Sequence, residues 1–272
     1  MINDPAPGYA PAWDAPPWVG AWMTTRDGGQ GQGRFAGFNL GDHVGDNPEV
    51  VAWHRAQLAH SVGRPLALLR QVHGHAVCAR DACAVDDQPE ADAQWTSQAR
   101  AALAIGVADC LPVLWAHRQT PLIAASHAGW RGLAAGVLED TLRHMAQGAG
   151  QSLPLCAAQC TVWLGPCIGP DAFEVGADVV QAFAASTPPQ LLPKRWCVAH
   201  PNRADRWLVN LPALARARLH AMGVSSIHGN DGGGAWCTMG NHTRYFSHRR
   251  DGSPNGGTGR MLASVWLAPS GG

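Results

Sequence analysis

The stretch Leu122-Ile123-Ala124-Ala125-Ser126-His127-Ala128-Gly129-Trp130-Arg131-Gly132 decides how this chain is built around its chemistry. An apolar run leads into small residues that carry a histidine, a tryptophan and an arginine, and a helical pattern starts at Leu133. We expect a strand that ends in a tight turn. Alanine and glycine in that turn would allow the backbone to approach a ligand closely. The sequence therefore predicts a functional turn at the end of this strand.

Two upstream segments also place a potential metal ligand after an apolar run. Gln71-Val72-His73-Gly74 follows an apolar run at 66–69, and Ala108-Asp109-Cys110 follows another at 103–107. His73, Cys110 and His127 together offer two imidazoles and one thiolate, a set that suits zinc with an open fourth position. Because they are far apart in sequence, three strand ends must converge. On residue type alone, each could instead be a hydrogen-bonded core histidine or a buried cysteine.

Composition limits the classes of partner. The chain has 272 residues, a formal net charge of zero and 15% charged residues. No run of lysine and arginine supplies the basic footprint that nucleic acids or anionic membranes require, so neither is expected as the main partner. The 32 glycines and 20 prolines are spread between apolar runs, which predicts many turns rather than disorder.

The sequence favours a cytoplasmic location. The start, Met1-Ile2-Asn3-Asp4-Pro5, lacks a basic and then apolar leader, and no apolar stretch approaches the ~20 residues that span a bilayer. The eight cysteines are therefore expected to be mostly reduced thiols. The close pairs Cys78/Cys83 and Cys156/Cys160 have no matching second pair at zinc-ribbon spacing, so they are interpreted as incidental.

The chain is predicted to hold one catalytic domain at 18–272 after a loose, proline-rich and alanine-rich N-terminal arm at 1–17. A glycine-rich stretch at 27–37 begins like a dinucleotide-binding fingerprint. Its third glycine is misplaced and no helix follows, so a loop beside a site is favoured.

The predicted elements mix strands and helices without strict alternation. Consecutive strands without an intervening helix favour an α+β fold with mixed sheets. Hydrophobic patterning predicts strands at 18–24, 65–71, 76–80, 102–108, 111–116, 122–127, 161–164 and 260–267, and helices at 48–62, 133–147, 177–184 and 211–222.

Several motifs then reveal a family resemblance. The chain resembles the zinc-dependent purine nucleoside phosphorylases, long described as a laccase-like or multicopper polyphenol oxidase domain, one bacterial branch of which is called peptidoglycan editing factor. The motifs that carry the resemblance are Phe38-Asn39-Leu40-Gly41-Asp42-His43-Val44-Gly45-Asp46, Arg70-Gln71-Val72-His73-Gly74, Ala108-Asp109-Cys110-Leu111-Pro112-Val113, His127-Ala128-Gly129-Trp130-Arg131-Gly132, Leu164-Gly165-Pro166-Cys167-Ile168-Gly169-Pro170, Phe246-Ser247-His248-Arg249-Arg250 and Thr258-Gly259-Arg260-Met261.

The resemblance implies a fold, ligands and contacts. It implies a single-domain α/β/β/α sandwich, with zinc held by His73, Cys110 and His127. Two departures concern one edge of the pocket: Asp171-Ala172-Phe173 replaces two cysteines and a tyrosine, and His248 stands where tyrosine is common. The substrate contacts that it implies are Asn39, His43, Arg55, Gln71 and Arg249.

The same resemblance implies an activity on purine nucleosides. Adenosine, inosine and methylthioadenosine would be cleaved by phosphate to the free base and ribose 1-phosphate, and adenosine would also be deaminated. Arg131 is predicted to bind phosphate, since a guanidinium fork fits paired oxygens, or else to form a surface ion pair. Asp109 could orient a ligand, move a proton or cap the strand end. Trp130 could stack on a purine or fill the core.

Three alternatives stay open. Blue-copper and trinuclear sites need several His-X-His pairs and a cysteine flanked by histidine, but this chain has one such pair, His73-Gly74-His75, and Cys110 lies between Asp109 and Leu111. Copper is therefore expected only as an adventitious ion, with weak polyphenol oxidation. A Cys-His hydrolase with Cys110 as nucleophile and His127 as base, trimming peptidoglycan precursor peptides, is the second alternative. A non-catalytic metal-binding protein is the third. The sequence indicates no oligomeric state.

Overall fold

A computed structural model describes residues 5–252 and 257–268. Its strands are, in chain order, β1 (Gly8–Tyr9), β2 (Val19–Thr24), β3 (Leu66–Ala67), β4 (Val77–Ala79), β5 (Ala93–Thr96), β6 (Ala102–Val107), β7 (Leu111–His117), β8 (Ile123–Ala128), β9 (Cys160–Leu164), β10 (Glu174–Val175), β11 (Cys197–Ala199), β12 (Trp207–Val209), β13 (Ser226–Gly229) and β14 (Met261–Leu267). Its α-helices are α1 (Pro48–Val62), α2 (Trp130–Ala135), α3 (Val137–Gly148), α4 (Leu153–Gln159), α5 (Ala177–Ser186), α6 (Leu211–Ala221) and α7 (His248–Asp251).

The strands form two large sheets and a small one. The five-stranded sheet has the order β1-β2-β14-β6-β3, and the six-stranded sheet has the order β13-β9-β7-β8-β5-β4. Each contains both kinds of pairing: β14 is antiparallel to β2 and β6, whereas β3 is parallel to β6. In the other sheet β7 is antiparallel to β8 and β9, whereas β13 is parallel to β9. The predicted α+β class with mixed sheets is confirmed.

Alternating side chains stack the sheets into layers. On β6, Leu103 faces the space between the two large sheets, whereas Ala102 packs with Leu58 of α1. On β7, Leu114 faces the same space between the sheets, whereas Val113 packs with the cluster that contains helices α3 to α6. Because strand side chains alternate between faces, the layer order is α1, five-stranded sheet, six-stranded sheet, helices. This is the α/β/β/α sandwich that the resemblance implies.

Local signals explain where helices begin and end. The Asn47 side chain accepts a hydrogen bond from the backbone of Glu49, Pro48 occupies the first turn, and Gly63 closes α1 in a left-handed conformation. The predicted helix at 133–147 is two helices, α2 and α3, because Gly136 has a φ of 100° and interrupts the hydrogen-bond ladder. None of the described helices is long and apolar enough to cross a membrane.

The expectation of a loose N-terminal arm is wrong for its described part, residues 5–17. Strand β1 pairs with β2, and Ala6 is buried. Asp14 accepts hydrogen bonds from the hydroxyls of Ser226 and Thr161 at the far edge of the six-stranded sheet. Backbone pairing and a polar side-chain anchor therefore hold a segment whose composition suggested mobility.

Candidate metal centre and active-site cavity

The position of His127 is fixed by a strand and a buried carboxylate. His127 lies in β8 opposite Pro112 of the central strand β7, and only 3% of its surface is exposed. Its Nδ1 lies 2.7 Å from Oδ1 of Asp92. An ionised carboxylate accepts from Nδ1–H, which leaves Nε2 free to bind a metal.

Asp92 connects this strand to the turn that carries His73. It directly precedes β5, is fully buried, and accepts backbone N–H bonds from Val72, His73 and Gly74 at 3.1, 2.9 and 2.7 Å. Burial works to raise its pKa, but the His127 imidazole and the backbone donors together lower it. Asp92 is therefore a carboxylate that fixes the positions of two of the three proposed ligands, His73 and His127, relative to each other.

The three ligands predicted from the sequence converge. His73 sits in a turn with a φ of 61°, and its ring centroid lies 4.9 Å from that of His127. Cys110 lies in the connection between β6 and β7. The ligand atoms of His73, Cys110 and His127 all lie within 4.8 Å of one another. One thiolate and two imidazoles at this separation fit a tetrahedral metal with an open position.

Gly129 explains the glycine after this strand. A Cβ atom at this position would lie 2.9 Å from Sγ of Cys110 and 3.3 Å from Cδ2 of His73. Any larger residue would push against both ligands. The turn therefore needs glycine for close approach rather than for an unusual backbone angle.

Electrostatics prepare the thiolate. Burial alone would raise the pKa of Cys110, but the imidazoles of His127 and His73 lower it to about 6. Burial likewise opposes charge on His127, yet the Cys110 thiolate and Asp92 raise its pKa to about 9. These opposite shifts favour a thiolate beside an imidazolium at neutral pH, and the thiolate is the form of cysteine that binds metals.

A cavity of about 670 Å³ opens over this centre. Its wall includes His73, Cys110 and His127, which ties the triad to a space of ligand size. The other proposed site residues that line it are His43, Arg55, Gln71, Asp109 and Arg249.

Most of these side chains also hold the cavity wall together. Arg55 donates to the Leu40 carbonyl and pairs with Asp42, each at 2.9 Å. Gln71 exchanges two hydrogen bonds with the backbone of Gly106. These residues shape the cavity, and part of their bonding capacity is already used.

Asp109 has a positioning geometry. It adopts a φ of 93°, and its Oδ1 accepts from the hydroxyl of Thr238 at 2.5 Å. Its Oδ2 accepts from the backbone N–H of Arg249 at 2.7 Å, and the Arg249 guanidinium donates to the carbonyl of Glu174. Asp109 therefore anchors the start of α7 to the connection between β6 and β7, which also carries Cys110.

Two residues predicted as site residues lie off the cavity wall. Asn39 is fully buried; its amide donates to Asp46, and its oxygen accepts backbone N–H bonds from Gly41 and Arg260. It therefore fixes two loops of the wall from behind. Arg131 is exposed, and its guanidinium lies 4.4 Å from the ring centroid of Trp130. Its role in binding phosphate stays a prediction.

Two aromatic residues singled out in the sequence analysis lie in the cavity wall. Phe173 and His248 both line the cavity, as does Trp130. The Arg249 guanidinium lies 5.9 Å from the ring centroid of Phe173. Phe173 and His248 thus contribute to the wall of the cavity that also contains His73, Cys110 and His127.

Sequence reasoning missed two important residues, Asp92 and Arg260. Arg260 lines the cavity, and its Nη1 donates to the carbonyls of Thr258 and Gly259. Burial lowers its pKa, whereas the charges of Cys110 and Asp109 favour its protonated form. Among the described residues no carboxylate forms an ion pair with Arg260, so its charge remains available to a ligand.

A signal for each residue was present in the sequence. Asp92 is a carboxylate between two alanines at the start of a strand, where an unpaired charge would be costly. Arg260 lies in the quoted Thr258-Gly259-Arg260-Met261 motif, directly before β14.

Comparison with known proteins places the chain. The family model described as multi-copper polyphenol oxidoreductase laccase matches residues 20–268. The chain belongs to this family. Among its curated relatives, a purine nucleoside phosphorylase of Pseudomonas aeruginosa is 40% identical over 257 residues, covering 94% of this chain and 97% of the relative. Purine nucleoside phosphorylase YfiH of Escherichia coli is 38% identical over 263 residues, with coverages of 94% and 97%.

Solved structures of this laccase family share the fold. A Neisseria meningitidis protein has a TM-score of 0.84 and 39% identity, covering 96% of this chain and 99% of its own. YlmD from Geobacillus stearothermophilus has a TM-score of 0.82 and 28% identity, with coverages of 97% and 100%. The family description names copper chemistry, whereas the curated relatives are named for nucleoside phosphorolysis.

Proposed function

We propose that this member of the laccase family is a zinc-dependent purine nucleoside phosphorylase. It would cleave adenosine, inosine and methylthioadenosine with phosphate, giving the free base and ribose 1-phosphate. The observation that carries the proposal is the His73, Cys110 and His127 triad in the wall of a 670 Å³ cavity. The names of the curated relatives support it.

The ligand set favours zinc over copper as the resident metal. The described site has one thiolate and two imidazoles, and a bound zinc ion would act there as a Lewis acid with one open position. Asp92 would hold the His127 tautomer that presents Nε2, and the Cys110 thiolate would bind without first losing a proton at neutral pH. Copper would enter only adventitiously.

The phosphate needs a cation, and the wall provides Arg260. Its guanidinium lines the same cavity as Cys110 and has no carboxylate partner among the described residues. We assign Arg260 to the phosphate, since a guanidinium fork binds two oxygens at once. Arg131 remains the alternative predicted from the sequence, although its guanidinium lies over the Trp130 ring and Arg131 itself does not line the cavity.

The reaction would proceed by displacement at the sugar. A phosphate oxygen forms the bond to the anomeric carbon, the carbon–nitrogen bond to the purine breaks, and the proton carried by the hydrogen phosphate passes to the departing purine. Arg260 would orient phosphate and balance its charge, and Asp109 would keep Arg249 in place at the rim. His43, Arg55, Gln71 and Arg249 are proposed contacts of the nucleoside, with Asn39 supporting the wall behind them.

We also propose adenosine deamination in the same cavity as a second activity. Attack by water at the purine ring needs no phosphate, but it needs the metal corner, which is formed by His73, Cys110 and His127. The two reactions would therefore share these three residues. We propose a cytoplasmic location, where the cysteines would be mostly reduced thiols; the described cysteines form no disulfide.

One geometric feature favours the Cys-His hydrolase as a second candidate. Cys110, His127 and Asp92 form a nucleophile, base and orienting carboxylate, and the pKa of Cys110 is lowered to about 6. Such a thiolate would attack a peptide carbonyl if the site carried no metal. Zinc bound stoichiometrically after dialysis would exclude this reading, because a metal-bound thiolate is a poor nucleophile.

The decisive experiment combines metal analysis with product analysis. The purified protein is dialysed, its zinc and copper are measured, and adenosine is incubated with and without inorganic phosphate. The proposal expects about one zinc per chain and phosphate-dependent release of adenine and ribose 1-phosphate. Formation of inosine without phosphate would reveal the deaminase activity. A zinc-loaded protein that is inactive on a panel of nucleosides would contradict the proposal and favour a non-catalytic metal-binding protein.

A further inference from the structure

A pair of cysteines lies at the edge of the six-stranded sheet, outside the active-site cavity. Cys78 is in β4, and Cys83 follows a short helical turn at Arg80–Ala82. Their Sγ atoms are 3.5 Å apart and both side chains are half-buried. A disulfide needs about 2.05 Å, so the sulfurs must approach by only ~1.5 Å. We propose that Cys78 and Cys83 are a redox-active dithiol that small-molecule disulfides such as oxidised glutathione convert to a disulfide.

The surroundings of Cys83 favour an anionic reagent. Cys83 lines a shallow surface crevice together with Arg80 and Arg100. Arg80 is buried and donates to the carbonyls of Ala84 and Val85, so it fixes the chain after Cys83 while it adds positive charge. The crevice also contains Asp81, whose carboxylate accepts hydrogen bonds from Ser97. The exposed guanidinium of Arg100 is the cation that would attract the carboxylates of glutathione disulfide.

The positions of the two sulfurs set the order of the two steps, because Cys83 lines the crevice and Cys78 does not. Burial and the neighbouring Cys83 thiol raise the pKa of Cys78 to about 11, so Cys78 starts as a thiol in a strand. The Cys83 thiolate at the crevice attacks one glutathione sulfur, and a glutathione thiolate leaves. Cys78 then loses its proton to solvent, attacks the Cys83 sulfur and expels the second glutathione thiolate. Two electrons pass from the two cysteines to glutathione disulfide, and the two glutathione thiolates take up protons from solvent.

A second cysteine pair in the same chain is a matched control. The Sγ atoms of Cys156 and Cys160 are 3.9 Å apart, which is nearly the same separation. Both residues are fully buried between α4 and β9. Because thiol–disulfide exchange needs access to the attacking sulfur, this pair should stay reduced under conditions that oxidise Cys78 and Cys83.

The test treats the full-length, zinc-loaded protein with oxidised glutathione. Free thiols are then blocked, and linked peptides are identified by mass spectrometry. We expect one disulfide, between Cys78 and Cys83, that dithiothreitol reverses, together with unchanged zinc content. Failure to find this linked peptide would overturn the proposal, as would equal oxidation of Cys156 and Cys160. Neither result depends on whether the protein is a phosphorylase.

Single variants separate the two roles. Cys78→Ser should accumulate a mixed disulfide between Cys83 and glutathione, because the sulfur that resolves it is absent. Cys83→Ser should take up little glutathione at Cys78. The reverse pattern, or equal uptake by both variants, would contradict the order of steps. Cys78→Ala provides a second test of the same position if the serine variant is poorly folded.

Discussion

The metal corner and the arginines of the cavity wall are built in different ways. His127 lies in a central strand, and the buried Asp92 carboxylate ties it to the backbone of the His73 turn. Arg55 and Arg260, by contrast, reach the cavity on long side chains from α1 and from the approach to β14. The backbone would thus fix the position of a bound metal, whereas the conformation of long side chains would fix the position of a bound anion. Substitutions should therefore separate metal content from phosphate use.

The largest effect is expected from a metal ligand. Cys110→Ser should remove most of the zinc and nearly all nucleoside cleavage, since a neutral hydroxyl replaces a thiolate ligand. The protein should stay folded, because its core clusters form on the sheets without the metal. Elemental analysis and circular dichroism check both points. Full zinc occupancy in this variant would show that Cys110 is not a ligand.

Replacing an arginine of the cavity wall should lower the rate of phosphorolysis and leave the metal in place. Arg260→Ala should lower phosphate-dependent cleavage by roughly 10²-fold, the loss typical of one charge-stabilising donor, with unchanged zinc. Lysine should recover only part of this loss, because it lacks the fork. Any deamination should fall less, since water replaces phosphate.

Arg131→Ala is the matched control for this prediction. It removes an exposed guanidinium that stacks on Trp130, so we expect a much smaller change in the phosphate dependence. Steady-state rates at varied phosphate concentrations distinguish the two variants. If Arg131→Ala had the large effect and Arg260→Ala the small one, Arg131 would bind the phosphate, as predicted from the sequence. The assignment of Arg260 to the phosphate would then be wrong.

A carboxylate that touches no substrate should still weaken the metal corner. Asp92→Asn should lower zinc affinity by about 10- to 100-fold, the usual cost of losing the partner of a ligating histidine. The change keeps the size of the side chain but removes the charge that His127 and three backbone donors face. Competition with a chelator measures the affinity. Unaltered affinity would mean that Asp92 is only structural.

The smallest expected effect comes from a change of pH. In the metal-free protein, alkylation of Cys110 by iodoacetamide should have its midpoint near pH 6, because His127 and His73 lower the pKa of the thiol to about 6. The thiolate then persists as pH falls from 9 to about 6 and is lost below that. Replacing His127 by alanine should move the midpoint upward. Peptide mapping follows the modification at Cys110, and a wild-type midpoint near 9 would contradict the predicted thiolate.

The sequence predicted the metal corner better than the wall around it. Each triad residue lies at or beyond the end of an apolar run, and this local pattern singled out His73, Cys110 and His127. Their convergence depends on how the two large sheets pack, because β3 and β6 belong to the five-stranded sheet and β8 belongs to the six-stranded sheet. The layered fold came from the family resemblance and from unbroken runs of strands. Helix α1 was predictable because its cap and stop residues are local signals.

The remaining features depend on tertiary contacts. Asp92 is important because of partners about twenty and more residues away in sequence, and no periodicity reveals them. Arg131 lies beside a metal ligand in sequence, yet the first turn of α2 points it outward onto Trp130. The N-terminal arm is held by Ser226 and Thr161, more than a hundred residues away. Composition cannot predict such anchors.

The exposed position of His73 has a kinetic consequence. His127 and Cys110 are enclosed by strands and by Gly129, but His73 stands in a solvent-facing turn. Metal exchange should therefore begin with release of this one ligand, through local opening of its turn, long before the sheet unfolds. The lifetime of the bound ion would then be governed by a short loop whose closure depends on the Asp92 carboxylate, even though the global stability of the domain is set elsewhere.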